Sequence, residues 1–153
     1  MSQAFGIDEP IPALNDFQEK VRQFRSDALN KELACDCAIA AWHICDIVFV
    51  KTSVKSVFRS LTTFQEKVRT ECLDLGYLQD IAIARKHGEI SRYTPRVKTA
   101  SEKGGAFSQA FSRDFDISLL VIVTEDGNEH AMLDVLARVL AYWEQFFQKH
   151  GIN

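Results

Sequence analysis

Two of the four histidines in this 153-residue chain sit where a carboxylate shares their helix face. In Ala41-Trp42-His43-Ile44-Cys45-Asp46, His43 and Asp46 are three residues apart, which places both on one side of an α-helix. A neighbouring carboxylate raises the proton affinity of an imidazole and orients its ring, the arrangement of a general acid or base near neutral pH. The bland alternative is that the two polar groups satisfy each other at a helix crossing, as buried polar groups usually do. The second pair is Asp80 and His87, seven apart and so two turns along one face, with Ala84 between them. That small residue leaves room above a shallow polar surface. His130 follows a turn and is expected to face solvent or a neighbouring strand. His150 falls in the last turn of the final helix, where a cation suits the dipole.

From Arg85 to Lys103 the chain carries Arg85, Lys86, Arg92, Arg96, Lys98 and Lys103 against Glu89 and Glu102. This local charge of +4, in a chain of net charge −3, leaves −7 for the remainder. Such a cluster can hold phosphate, and Tyr93 within it could stack a base. It could equally be a solvated strand edge kept from aggregating by its charges. Cys35, Cys37 and Cys45 lie in one apolar segment and Cys72 further on. Residues 35 and 37 are about 200° apart on a helix, and the spacing fits no familiar zinc pattern. Core thiols in a reducing compartment are therefore expected, with no metal and no cofactor.

The elements that must position these groups follow from periodicity. Leu14, Phe17, Val21, Phe24 and Ala28 recur at steps of three and four, the mark of an amphipathic helix. Asn15 with Gln18 offers a capping box for it, and Pro12 an alternative first-turn residue. Glu32 to Val50 reads as a second helix, apolar on most sides and therefore central. Thr52 and Ser53 offer an N-cap for a third helix running from Val54 through Phe58, Phe64 and Val68 to an end near Gly76. A fourth, from Tyr77 to about Lys86, is expected to stop at Gly88. The period then changes. Tyr93 to Ala100, Asp116 to Thr124 and Asn128 to Met132 read as strands, the last two joined by a tight turn at Asp126-Gly127. Leu133, Leu136, Val139, Leu140, Trp143, Phe146 and Phe147 make the stripe of a last helix. The predicted fold is mainly α (α+β): an antiparallel bundle of about five helices with a small three-stranded antiparallel sheet before the last one.

Apolar residues at 46% and charged residues at 25% describe an ordinary globular chain and exclude wholesale disorder. The length suits one domain, residues 11–153 with the β-hairpin region 93–132 inserted, after a loose tail over 1–10. The net charge excludes a generically basic nucleic-acid binder. The apolar run near Ile117 to Val123 is far short of a bilayer span and no signal peptide opens the chain, so a cytoplasmic protein without a membrane partner is expected. Gly-rich phosphate loops, nucleophile elbows and zinc motifs are missing from the sequence, which gives a small-molecule enzyme little support.

The Ala41-Trp42-His43-x-x-Asp46 helix, the Asp80-Ile-Ala-x-x-x-Lys-His87 helix end, the Asp126-Gly127 hairpin and the aromatic last helix recur in that order in a group of small uncharacterised bacterial proteins, which this chain resembles over about residues 35–147. More distantly, the helical part is similar to the HEPN superfamily. That resemblance implies a helical bundle, often dimeric, among whose members are metal-independent ribonucleases of toxin–antitoxin and antiphage systems. In those enzymes an arginine, a polar residue and a histidine from two protomers meet in a cleft. Asp80 fits the polar residue and His87 the histidine, whereas Gln79 stands where the arginine belongs, and Ile83 where the smaller group has asparagine. Without arginine the phosphorane formed in RNA cleavage lacks a permanent planar cation.

Two functions follow. In the first, the chain is an HEPN-like RNA-binding protein or weak ribonuclease of prophage or defence origin. His87, Asp80, His43 and Asp46 are its catalytic group, and Arg85, Lys86, Arg92, Tyr93, Arg96 and Lys98 hold RNA. A homodimer and a protein antitoxin are the implied partners. In the second, it is a non-catalytic protein-interaction module of the same fold, docking through the basic strand or through Phe107, Phe111 and Phe115.

Overall fold

The computed structural model describes residues 7–87, 97–103 and 119–153, with the backbone alone for 85–87, 97–103 and 119. Among the described residues, five α-helices and a short 3₁₀ helix surround one apolar core, with an antiparallel hairpin packed in just before the last helix. Helix α1 (Pro10–Ser26) starts on proline at its first turn, with no side-chain cap. The Asn15–Gln18 box therefore does not form at the helix start, because proline, which lacks an N–H, already opens the helix five residues earlier. One face of α1 buries Leu14, Phe17, Val21 and Phe24.

Helix α2 (Lys31–Lys51) is capped by Asn30, whose side chain accepts from the Leu33 N–H at 3.1 Å. Cys37, Ala38, Ala41, Ile44, Cys45 and Val48 are sealed in the core. With a mean hydropathy of 1.8 over an 18-residue window, α2 is long and apolar enough to cross a membrane by length and composition. Here it is the central packed helix.

The third helix differs from its expected course. Thr52 Oγ1 donates to the Val48 carbonyl at 2.7 Å and accepts from the Val54 N–H at 3.2 Å. This closes α2 and starts the 3₁₀ turn Ser53–Ser56. Ser60 then caps a separate α3 (Leu61–Glu71) by accepting from the Thr63 N–H at 3.2 Å. Extended backbone at Cys72 ends α3, and α4 (Leu73–His87) begins at once, so Gly76 lies inside a helix instead of ending one. Apolar periodicity continues across both breaks, which is why it reads as a single helix.

Strand β1 (Val97–Lys103) runs antiparallel beside β2 (Leu119–Thr124), Val97 opposite Thr124 and Lys103 opposite Leu119, with a register shift at Lys98. β2 pairs with β3 (Glu129–Ala131), Val121 opposite Ala131 and Val123 opposite Glu129. The connection is longer than a two-residue turn. The Thr124 N–H bonds to the Asn128 carbonyl at 3.0 Å, and the Gly127 N–H to the Thr124 carbonyl at 2.9 Å, leaving Glu125, Asp126 and Gly127 in the loop. Gly127 takes the positive φ, 87°, that such three-residue hairpins place last. Asp126 accepts from the Thr124 hydroxyl and from the Asn128 backbone, which holds its carboxyl below the usual range. Helix α5 (Met132–Lys149) follows β3 directly and buries Val135, Leu136, Val139, Trp143, Phe146 and Phe147.

Candidate functional site

Helices α2, α3 and α4 meet along a polar seam. Its α2 side is Trp42 and Asp46, one turn apart, and its α3 side Gln65 and Arg69, also one turn apart. Gln65 Nε2 donates to Asp46 Oδ1 at 3.4 Å, and the Arg69 guanidinium lies 5.7 Å from the centre of the Trp42 ring. These two contacts run in opposite senses along the helices, so α2 and α3 are antiparallel here. Arg69 also donates to Gln79 Oε1 of α4 at 3.0 Å. All five side chains are half-buried.

His43 stands exposed at the open side of this seam. The sequence alone suggested a ring inside the most apolar helix; instead it emerges through the polar stripe of α2 while Ile44 and Cys45, next along the turn, take the core. Burial pushes the Asp46 carboxyl above the ordinary carboxylate range, and the charge of His43 and the Gln65 bond pull it part of the way back. An accessible imidazole is thus coupled to a carboxylate with raised proton affinity, a pairing suited to proton transfer.

Asp80 does not lie on a shallow open surface. It is 2% exposed, inside the packing of α4, beyond direct reach of a bound polymer. A residue seven positions before a helix end shares a face with the last residue, but which face is covered depends on neighbours that spacing does not reveal. His87 ends α4, and Arg85 and Lys86 belong to its last turn, by their backbone. Lys98 falls at the register shift of β1. Arg92, Tyr93, Arg96 and the Phe107–Phe115 stretch lie outside the described residues.

The remaining histidines are placed by rings. His130 pairs with Ile122 across the hairpin, half-buried, 5.3 Å from the Tyr77 ring. His150 is exposed at the C-cap of α5, 4.2 Å from the Phe146 ring. Cys37, Cys45 and Cys72 are buried and Cys35 half-buried, none of them in a disulfide. Burial pushes Cys37 up to about 12 and raises Cys45 and Cys72 as well, so these thiols are unreactive core groups. Among the described residues no three His, Cys, Asp or Glu side chains are grouped to hold a metal ion.

Arg69 and Gln65 are the seam residues that the sequence reading did not single out. Their signal is a polar pair at i, i+4 that flanks the buried Phe64 and Val68, about 100° around the helix from them. Beyond Arg69 the seam opens into a concavity of about 380 Å³ shared with Leu73, Tyr77 and the hairpin loop. Compared with family models, curated proteins and solved structures, the chain matches none.

Proposed function

We propose that this is an HEPN-like helical protein that engages single-stranded RNA at the α2–α3–α4 seam and cleaves it weakly. The observation that carries this reading is the exposed His43 beside Asp46, one turn from the Arg69–Trp42 stack. A planar cation and an aromatic face are the groups that hold phosphates and stack bases, whatever the sequence. His43 would take the proton of a 2′-hydroxyl; the 2′-oxygen then bonds to the adjacent phosphorus as the P–O5′ bond breaks, the departing 5′-oxygen taking its proton from water and leaving a 2′,3′-cyclic phosphate. Gln79 occupies the family's arginine position, and Arg69 reaches it from α3, so a guanidinium returns to the neighbourhood by a different route. In this reading β1 is the third strand of the sheet and brings Lys98 and the neighbouring basic residues to the RNA. A cytoplasmic homodimer, with a protein antitoxin as partner, belongs to the same proposal, and sedimentation of the wild type tests it.

The experiment is incubation of total RNA in EDTA with wild type, His43→Ala and His87→Ala. Cleavage by wild type that falls at least tenfold in His43→Ala supports the seam. Loss confined to His87→Ala moves the chemistry to the end of α4, and no cleavage with no RNA retention by any protein removes the RNA reading. A second reading, the non-catalytic interaction module, is favoured by the sealed Asp80 and by two exposed apolar residues, Val57 at 77% and Leu73 at 67%.

A further inference from the structure

The far side of α3 carries a different surface. Lys67 and Glu71 point about 200° away from Gln65 and Arg69 around the helix. Between them, the 53–58 turn and the end of α5 lies a groove of about 500 Å³. Phe58 and Phe146 line it, and Val57 stands in it largely exposed. An isolated exposed valine is ordinary, but one set over an aromatic floor within a concavity offers an apolar anchor site.

The rim is cationic. Lys67, Lys149 and His150 line the groove, and Lys55 and Arg59 are exposed in the same loop. Glu71 is the lone carboxylate among the described lining residues. It is already engaged, accepting from the Tyr142 hydroxyl at 2.8 Å and pairing with Lys67 at 3.0 Å. Lys149 also lies within electrostatic reach of Glu71, so one carboxylate faces the ammonium groups of both Lys67 and Lys149, with Lys55 and Arg59 exposed beyond them. A chain of net charge −3 that gathers cations around an apolar slot presents a surface complementary to an acidic, amphipathic segment.

We propose that this groove docks an acidic amphipathic peptide segment of a partner protein, one apolar side chain entering beside Val57 and Phe146 and flanking carboxylates meeting Lys149 and His150. The proposal rests on the interaction-module reading and gives it a surface; it is independent of RNA chemistry at the seam.

The probe is a fluorescein-labelled 14-residue peptide with Leu at steps of three and four and Glu at most other positions, followed by anisotropy. Saturable binding by wild type, weakened at least tenfold in Val57→Asp and at least fivefold in Lys149→Glu, is the expected result, together with no binding of a peptide carrying Lys for Glu. Val57 is exposed enough for its replacement to leave the fold intact, which circular dichroism checks. Equal affinity in Val57→Asp, or no saturation up to 500 µM peptide, overturns the proposal. So does displacement of the peptide by a 14-nucleotide RNA, which makes the groove a nucleic-acid site, or self-association that Val57→Asp abolishes, which makes the occupant a second copy. His43→Ala should keep full peptide affinity, so failure of the RNA reading and failure of this one are separable.

Discussion

At the level of single residues, the seam depends on how one carboxylate is held. Asp46 is half-buried and its ionised form is disfavoured by lost hydration, more than His43 and Gln65 compensate. A folded-state proton affinity above the unfolded one means that Asp46 contributes most stability when protonated and loses it as pH rises through the raised value. Asp46→Asn keeps the acceptor for Gln65 and removes the charge. It should therefore melt at a higher temperature than wild type at pH 7.5, with the gap closing as pH falls into the carboxylate range; a lower melting temperature at pH 7.5 would contradict this. The His43–Asp46 pair was legible in the sequence because both residues interrupt an apolar helix at a shared-face spacing. Arg69 was not, because its role depends on α3 packing across Trp42, a contact between segments 27 residues apart. Asp80 misled because helical spacing tells which residues share a face and not whether that face is covered.

At the level of elements, breaks were harder to read than helices. The expected third helix is three pieces, the 3₁₀ turn, α3 and the start of α4, since Thr52 and Ser60 each supply a cap, extended backbone at Cys72 ends α3, and apolar residues continue across the breaks. Side-chain capping wins there over periodicity, and both serine and threonine favour that role. The hairpin was legible from Asp126-Gly127, but its loop is a residue longer, with Gly127 alone among the described glycines of the hairpin at positive φ. A Cβ at Gly127 would meet nothing within 4 Å, so substitution there costs backbone strain only. Gly127→Ala should destabilise by about 1–2 kcal/mol, and Gly127→Asn by less, in urea unfolding. Equal stability of all three proteins would show that the turn is made differently.

For the whole molecule, α5 is the element that joins the rest. Trp143 is fully buried and its indole Nε1 donates to the Ala41 carbonyl of α2 at 3.2 Å. Arg138 makes a two-pronged contact with Asp74 of α4 at 2.8 and 2.9 Å, and Gln18 of α1 reaches Glu144 at 2.9 Å. Trp143→Ala should cost about 3–5 kcal/mol in chemical denaturation, and a loss below 1 kcal/mol would mean that the core is organised around another residue. A helical bundle with a hairpin before its last helix was legible from periodicity, because seven aromatic and aliphatic residues of α5, from Leu133 to Phe147, recur along one stripe. Which helices share polar contacts was not, since those contacts join residues distant in the chain.

The central claim is that RNA meets this protein at the α2–α3–α4 seam. Titration of ¹⁵N-labelled protein with a short single-stranded RNA, followed by amide and indole resonances, reads this directly. The account predicts that the signals of Trp42, His43, Asp46 and Arg69 shift first and saturate together. Shifts clustered instead around Val57 and Lys149, or none at millimolar RNA, would contradict it.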